Sequence, residues 1–297
     1  MIKIITLLQT TRPAFLILTP VCVFLGLSTS LATVPSINLY LFFIILAGAI
    51  SAHISVNTLN EYYDFKSGLD LKTNKTPFSG GSGSLPGNPE MAGSVLILGL
   101  LSLLLTMVIG IYFVLTRGMQ ILPPGLAGLI LVMTYTQWLN RSPLLCLLAP
   151  GSGFGILMVV GTTVILTGEY SSIAWKVSLV PFFLVNNLLL LNQYPDIKAD
   201  ASVGRKTFPI VYGMRKSNVV YTVFMLTSYS LILFYIVKGD IPFTGSIALI
   251  PMLFSFYALI GAMKHTSEIG HFPCYMKANV AAAILTPLFL GIAIIIG

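Results

Sequence analysis

Between Arg12 and Glu61 the chain runs for 48 residues without one charged side chain. A soluble domain carries about 25% charged residues, whereas these 297 residues are 8% charged and 56% hydrophobic, with mean hydropathy +0.92. A helix that crosses a bilayer needs about 20 predominantly apolar residues. The uncharged stretch holds two, with a turn at Thr33-Val34-Pro35-Ser36. Seven more runs of suitable length follow: Ser94 to Thr116, Gly118 to Asn140, Ser142 to Gly168, Val177 to Pro195, Ser217 to Val237, Ile241 to Met263 and Ala278 to Gly297. None alternates as a lipid-facing strand does, and lipid leaves no partner for an open sheet edge. The expected fold is all-α: a polytopic membrane protein of nine helices, forming one intramembrane domain over residues 1–297.

Nine helices put the termini on opposite sides and sort the loops into two sets. With the N-terminus cytoplasmic, Arg117, Lys176 and Lys238 lie outside and the other thirteen basic residues lie inside, the bias that the positive-inside rule demands. Lys3 and Arg12 before an apolar run that ends in Ser28-Thr-Ser-Leu-Ala32 also resemble a signal peptide. A retained first helix is expected instead, because charge-free sequence resumes at once and its loss would move the acidic loops outside. The net charge of +7 is scattered between apolar runs, unlike a nucleic-acid stripe, so lipid and an anionic ligand are the expected partners and nucleic acid is not. Cys22, Cys146 and Cys274 are too dispersed for a disulfide framework or a metal knuckle.

The acids are concentrated at two places on the expected cytoplasmic side. Asn57-Thr-Leu-Asn60-Glu61-Tyr-Tyr-Asp64 closes the second helix and continues to Gly68 and Asp70; Asn192-Gln-Tyr-Pro-Asp196 closes the sixth and continues through Lys198 and Asp200 to Gly204-Arg205-Lys206-Thr207. Asn60 and Asp64 are one helical turn apart, as are Asn192, Asp196 and Asp200, so each set shares a face. Asp70 would lie about 240° around a continued helix and joins only if the helix ends near Gly68. Carboxylates on one face repel unless a cation sits between them, and oxygen ligands without His or Cys suit Mg²⁺ or Ca²⁺. Mg²⁺ takes one or two carboxylates and completes its shell with water and phosphate. Two clusters therefore predict two metal sites, Asn60, Asp64 and Asp70 in one and Asn192, Asp196 and Asp200 in the other, with a diphosphate between them. Lys72, Lys75, Arg205 and Lys206 supply further positive charge. The competing reading is two ordinary solvated loops. Asp64 and Asp196 stand 132 positions apart after helices two and six, which suggests two related four-helix units and a ninth helix.

These residues resemble the UbiA superfamily of intramembrane prenyltransferases. The resemblance rests on the two Asp-rich motifs, Arg12-Pro13 at the first helix, Tyr135-Thr136 in the fourth, the run from Asp196 to Thr207 and the nine-helix layout. It implies that Mg²⁺ holds a polyprenyl diphosphate between the motifs while an aromatic or other acceptor attacks the allylic carbon. The usual first motif, Asn-Asp-x-x-Asp-x-x-x-Asp, is altered here: Glu61 replaces the first Asp, Gly68 the last, and Asp70 follows two places later. That spacing is similar to the branch that prenylates 1,4-dihydroxy-2-naphthoate for menaquinone. The resemblance also implies that Lys75-Thr-Pro-Phe-Ser-Gly-Gly-Ser-Gly83 closes over the diphosphate.

A polyprenyl tail is buried in lipid, so its reacting end has to meet a soluble acceptor at the interface. The cation-like allylic carbon needs a dry pocket; Tyr135, and Tyr62 or Tyr63, are candidates to offer it a π-face, with anchoring at the membrane interface as the competing role of each tyrosine. For the acceptor's carboxylate and hydroxyls the candidates are His53, Asn57 and Arg141, with a hydrogen bond between helices as the alternative role of His53 and lipid headgroups as the alternative partner of Arg141. Asn186 and Asn187 are expected to bond between helices, and Gly151-Ser-Gly153-Phe-Gly155 to let helices pack closely. Acceptors with haem, chlorophyll-type, glycerol-phosphate or 4-hydroxybenzoate chemistry remain open. A cation-coupled transporter is disfavoured because its acids would lie near mid-membrane in broken helices.

Overall fold

Lipid offers backbone groups no partner, so each charge-free run closes its hydrogen bonds internally. The computed structural model describes residues 2–297, and among them there is no strand. The spans are α1 (Lys3–Leu31), α2 (Leu39–Lys66), α3 (Pro89–Arg117), a shorter apolar α4 (Met119–Thr134), α5 (Pro143–Thr167), α6 (Ser172–Asn192), α7 (Phe208–Val237), α8 (Phe243–His271) and α9 (Pro273–Ile296). Eight are long and apolar enough to cross a membrane, and the ninth, α4, is cut short. Its chain turns at Tyr135, where the Asn140 backbone N–H bonds the Tyr135 carbonyl at 3.2 Å and the Asn140 side chain bonds the Thr136 carbonyl.

The lipid-facing surface is plainest on α3, where Ile97, Leu101, Leu104, Val108 and Leu115 are exposed. Inside the bundle, the approach of helices is set by small residues. A Cβ at Gly151 would stand 2.2 Å from the Phe182 carbonyl oxygen, and one at Gly155 would stand 2.3 Å from the Phe182 nitrogen. Only glycine lets α5 lie this close to α6. The Gly151 N–H donates to Asn186 Oδ1 at 2.6 Å. Asn187 Nδ2 donates to the Tyr221 carbonyl at 2.8 Å, Tyr221 hydroxyl to Asn279 Oδ1 at 2.8 Å, and Asn279 Nδ2 to the Asn187 carbonyl at 3.2 Å. These bonds tie α6, α7 and α9 together, as expected of intramembrane asparagines. Helix α9 packs against α1, and the largest hydrophobic cluster joins Leu18, Cys22 and Leu25 of α1 to residues of α6 through α9.

α1 is broken near its start. Arg12 has φ +53°, and Pro13 begins the next helical segment, where a missing N–H costs nothing. This backbone costs a non-glycine residue about 1–3 kcal/mol, and it turns the guanidinium inward toward α2.

If the helices are threaded in this order, single cysteines in place of exposed Asn74 and Ser202, in a background without Cys22, Cys146 and Cys274, will react with an impermeant maleimide from one side of the membrane. A cysteine in place of exposed Ser36 will react from the other. Labelling of positions 74 and 202 from opposite sides would contradict the arrangement.

Candidate active site

Helix α2 carries the first acidic motif to the end of its span and stops where the spacing requires. Gly68 adopts φ +76°, its N–H bonds the Phe65 carbonyl at 3.0 Å, and the Leu69 N–H bonds the Asp64 carbonyl at 3.0 Å. This left-handed cap turns the chain so that Asp70 faces the same cavity as Asn60 and Asp64. The second motif leaves α6 through a turn and enters the short helix Ile197–Ser202. Asp200 is buried on it, and Arg205 reaches back over it.

Arg205 joins the motifs. Its Nη1 donates to Asp200 Oδ1 at 2.9 Å, and its Nη2 is paired with Asp64 Oδ1. Arg12 does similar work nearer α1: Nε donates to Glu61 Oε1 at 2.8 Å and Nη2 to Asn60 Oδ1 at 3.2 Å. Glu61 is 0% exposed and also accepts from the Ser82 N–H at 2.7 Å and the Ser82 hydroxyl at 2.6 Å. Two residues earlier, the Gly80 N–H donates to Asp196 Oδ2 at 3.0 Å. The glycine-rich loop is thus fastened to both motifs through backbone donors. Gly80 and Gly81 have φ +77° and +68°, and a Cβ at Gly81 would lie 3.2 Å from Glu61 Oε1 and 3.3 Å from Asp70 Oδ1. Lys75 closes the loop on itself, its ammonium bonding the Ser82 carbonyl.

Of these groups Arg12, Asn60, Asp64, Asp70, Asp196, Asp200 and Arg205, with Gly80 and Gly81, line the polar mouth of a cavity of about 420 Å³, while Glu61, Ser82 and Lys75 stand behind it. Past Asn57 and His53 the walls become mostly apolar, and they follow helical spacing. From the mouth downward α2 presents Asp64, Asn60, Asn57, His53, Ala49 and Ile45, and α4 with its C-terminal turn presents Tyr135, Val132, Leu129 and Gly125. Gly153 of α5 lines the cavity too, whereas Gly151 and Gly155 serve helix packing.

Several polar atoms at the mouth lack a partner although buried: Asp70 Oδ2, Asn192 Oδ1, Gln193 Oε1, Asp196 Oδ1 and Thr207 Oγ1. All five residues line the cavity. Native structures rarely leave such groups unpaired unless something else satisfies them. Burial, then the neighbouring Asp64 and Glu61 carboxylates, pushes the Asp70 carboxyl up to about 7. Burial and then Asp200 push Asp196 up to about 7, against the pull of the Gly80 N–H. Burial also raises Asp200, with Arg205 opposing it. The Arg205 guanidinium is held firmly charged, because Asp64 and Asp200 outweigh the burial that works against it. Burial and the nearby Cys146 thiol raise the Tyr135 phenol well above its usual range.

Of the residues singled out from the sequence, Asn60, Asp64, Asp70, Asn192, Asp196, Asp200, Arg205, Tyr135, His53 and Asn57 all line this cavity. His53 Nδ1 is 2.8 Å from the Thr19 hydroxyl, and its ring meets Phe154 edge-on at 4.7 Å. Asn57 Nδ2 donates to the Thr11 carbonyl at 2.9 Å. Lys72, Lys206 and Arg141 are exposed and do not line it, and Lys75 lines a smaller hollow beside Arg12. Tyr62 and Tyr63 stack edge-on with each other outside the cavity. Among the described residues no three His, Cys, Asp or Glu side chains are gathered as a ready-made metal site; the two arginines stand between the carboxylates. Ser82, Gln193, Asn140 and the loop-fixing part of Glu61 were not foreseen. The available signal was a lone acid next to Asn60 inside a span, which needs a cation, and Arg12 is a basic residue on the adjoining helix.

The model of the UbiA prenyltransferase family matches residues 17–294. The chain belongs to this family. A UbiA relative, 1,4-dihydroxy-2-naphthoate octaprenyltransferase of Bacillus subtilis (strain 168), is 27% identical over 237 residues, 78% of this chain and 73% of that protein. UbiA prenyltransferase domain-containing protein 1 of Dictyostelium discoideum is 25% identical over 236 residues, 76% and 70% of the two chains. In three dimensions the chain resembles digeranylgeranylglyceryl phosphate synthase (TM-score 0.69, 14% identity, 99% of each chain). It also resembles a UbiA homolog from Archaeoglobus fulgidus bound to DMAPP and Mg²⁺ (TM-score 0.69, 14% identity, 98% and 99%). At such identity the likeness is one of fold. The chain is therefore an integral, multi-pass membrane prenyltransferase.

Because Glu61 holds both Arg12 and the loop, Glu61→Gln will loosen the site rather than empty it. A charged hydrogen bond is worth about 1.5–3 kcal/mol, so Glu61→Gln should lower the melting temperature in detergent and speed proteolysis within residues 72–83. Protease resistance equal to that of the parent protein would show that the loop is held by other contacts.

Proposed function

We propose that this UbiA enzyme transfers the prenyl group of a polyprenyl diphosphate to 1,4-dihydroxy-2-naphthoate, with Mg²⁺ as cofactor, at the cytoplasmic face of the membrane. The observation that carries the reading is the set of buried, unpaired oxygens of Asp70, Asn192 and Asp196 at the polar mouth of an apolar cavity. Oxygen acceptors without donors fit a hard cation, so Asn60, Asp64 and Asp70 would hold one Mg²⁺ and Asn192, Asp196 and Asp200 another. When bound, the metal would neutralise charge on the leaving diphosphate. The Archaeoglobus fulgidus homolog holds DMAPP and Mg²⁺, and the Bacillus subtilis relative is a naphthoate octaprenyltransferase; both support the assignment, as does the spacing of Asp64 and Asp70.

Arg205 and Arg12 supply fixed positive charge beside the carboxylates, and Lys72, Lys75 and Lys206 would draw the diphosphate toward the mouth. The allylic C–O bond breaks with its electron pair leaving on the diphosphate, a ring carbon of the acceptor supplies the pair for the new C–C bond, and that carbon then releases the group it carried, a proton or, where it bears the carboxylate, CO2, so that the ring recovers its aromaticity. Tyr135 faces the cavity just below the carboxylates, where its ring would stabilise the allylic cation. The apolar wall beneath excludes water that would otherwise capture it. His53 and Asn57 would orient the acceptor, and exposed Arg141 would meet lipid headgroups.

Purified protein given polyprenyl diphosphate and Mg²⁺ should prenylate 1,4-dihydroxy-2-naphthoate in preference to 4-hydroxybenzoate, as read by product mass. Asp64→Ala and Asp196→Ala should each lose on the order of a hundred- to a thousandfold in turnover while eluting as folded protein. His53→Ala should raise the acceptor KM more than that of the diphosphate. Full activity in a chelator would overturn the metal assignment, and turnover only with another acceptor class would overturn the naphthoate.

A further inference from the structure

A third stretch of chain, belonging to neither acidic motif, reaches the back of the mouth. The α-helical part of α8 ends at His265, and Thr266–His271 form a short 3₁₀ helix before α9. Thr266 has φ +49°, a backbone that β-branched residues rarely adopt and keep only where the surrounding structure imposes it. Two contacts hold this turn. The His265 ring stacks on Phe272 with centroids 3.6 Å apart, and Ile269, 0% exposed, sits in the largest hydrophobic cluster. Phe78 of the glycine-rich loop packs against the same cluster.

Next to Ile269 is Gly270, which lies where the carriers of both motifs meet. A Cβ there would stand 2.7 Å from Thr76 Cγ2, 3.2 Å from Pro195 Cγ and 3.3 Å from Pro195 Cβ. Gly270 is not in the left-handed region, so contact rather than conformation bars a side chain. Neither neighbour can step aside cheaply. Thr76 Oγ1 accepts from the Ser79 N–H at 2.9 Å and the Phe78 N–H at 3.2 Å, and lies 2.8 Å from the Ser79 hydroxyl. Rotating Cγ2 away would undo the turn that leads to Gly80. Pro195 is a rigid ring directly before Asp196. The bond that fastens the loop to the second motif, Gly80 N–H to Asp196 Oδ2 at 3.0 Å, is therefore flanked on both sides by residues packed against Gly270.

We propose that Gly270 is a positioning residue for prenyl transfer: by leaving its side-chain space to Thr76 and Pro195, it sets the glycine-rich loop in register with Asp196. This rests on the reading of the polar mouth as the diphosphate site, since the loop bears on turnover only if the diphosphate lies beneath it. Gly270 does not line the cavity, so its effect passes through Gly80 and Asp196. That effect falls on the diphosphate and spares the acceptor, whose candidate partners His53 and Asn57 lie further along α2.

The test is a double-substitution cycle in full-length protein in detergent. It is read by limited proteolysis without substrate and by kinetics with Mg²⁺, farnesyl diphosphate and 1,4-dihydroxy-2-naphthoate. Gly270→Ala should speed cleavage within residues 72–83 and lower kcat/KM for the diphosphate about tenfold, inside the ~100-fold that an ångström of misplacement can cost. The naphthoate KM should stay within about twofold of the parent's. Thr76→Ser removes Cγ2 but keeps the hydroxyl, so in a Thr76→Ser background the same Gly270→Ala change should cost no more than about threefold. Ser267→Ala, exposed on the same turn, should match the parent. Equal losses from Gly270→Ala in both backgrounds, failure to fold in both included, would overturn the proposal, as would unchanged proteolysis of Gly270→Ala. Faster proteolysis with unchanged kinetics would overturn the role in turnover. Absence of turnover by the parent would instead overturn the proposed function, and the proteolysis comparison would still decide whether Gly270 seats the loop.

Discussion

Buried carboxylates must be neutralised, and this requirement organises the cytoplasmic end of the bundle. Asp64 and Asp200 come from motifs far apart in sequence, yet both close on the one guanidinium of Arg205. Glu61, wholly buried at the end of α2, closes on Arg12. Breaking such a pair by removing one partner is far more costly than the net stabilisation the pair provides, so each arginine commits several elements to one arrangement. Arg205 sets the position of α2 against the helix 197–202. Arg12 sets the break in α1 against α2 and, through Glu61, the loop that carries Ser82 and Gly80.

A site built this way is polar on one side only. The same helices that deliver Asp64, Asn60 and Tyr135 to the mouth present Ile45, Gly125 and Ala49 to the channel below, because a face repeating every three to four residues runs the whole length of a span. A substrate with a charged head and a hydrocarbon tail matches that division: in the proposed function the head would meet fixed positive charge and a cation held by the unpaired oxygens, while the tail would meet apolar wall.

Much of this was legible in the sequence. Charge-free runs predict the helices, since lipid permits no other use of them, and the four-residue spacing of Asn60 with Asp64 and of Asn192 with Asp196 and Asp200 predicts a common face. Gly68 marks the helix end that brings Asp70 into the cavity. Other features depend on contacts that spacing does not encode. Lys72, Lys206 and Arg141 lie close in sequence to groups that line the cavity yet are themselves exposed, because long side chains at a boundary go to water unless a buried partner holds them. The truncation of α4 follows from the turn at Tyr135 and Asn140, within an apolar run that reads as one helix. Glu61 looks like a conservative replacement for a metal-binding Asp; only the positions of Arg12 and Ser82 reveal that its oxygens are already committed. The glycines of the channel cannot be told by sequence from those that pack helices.

In the proposed function the two motifs share one chamber whose carboxylates would bind a cation. Asp70 and Asp196 are pushed up to about 7, so near neutral pH each is partly protonated, and a cation that binds their charged forms must displace those protons. The direct measurement is titration calorimetry of Mg²⁺ with a non-hydrolysable prenyl diphosphate, in buffers of different ionisation enthalpy. Net proton release is expected at pH 7, falling away as pH rises well above 7, where both carboxyls are already ionised, and lost at pH 7 in the Asp70→Asn, Asp196→Asn double variant. Binding with no proton release at pH 7, or release unchanged in the double variant, would contradict it.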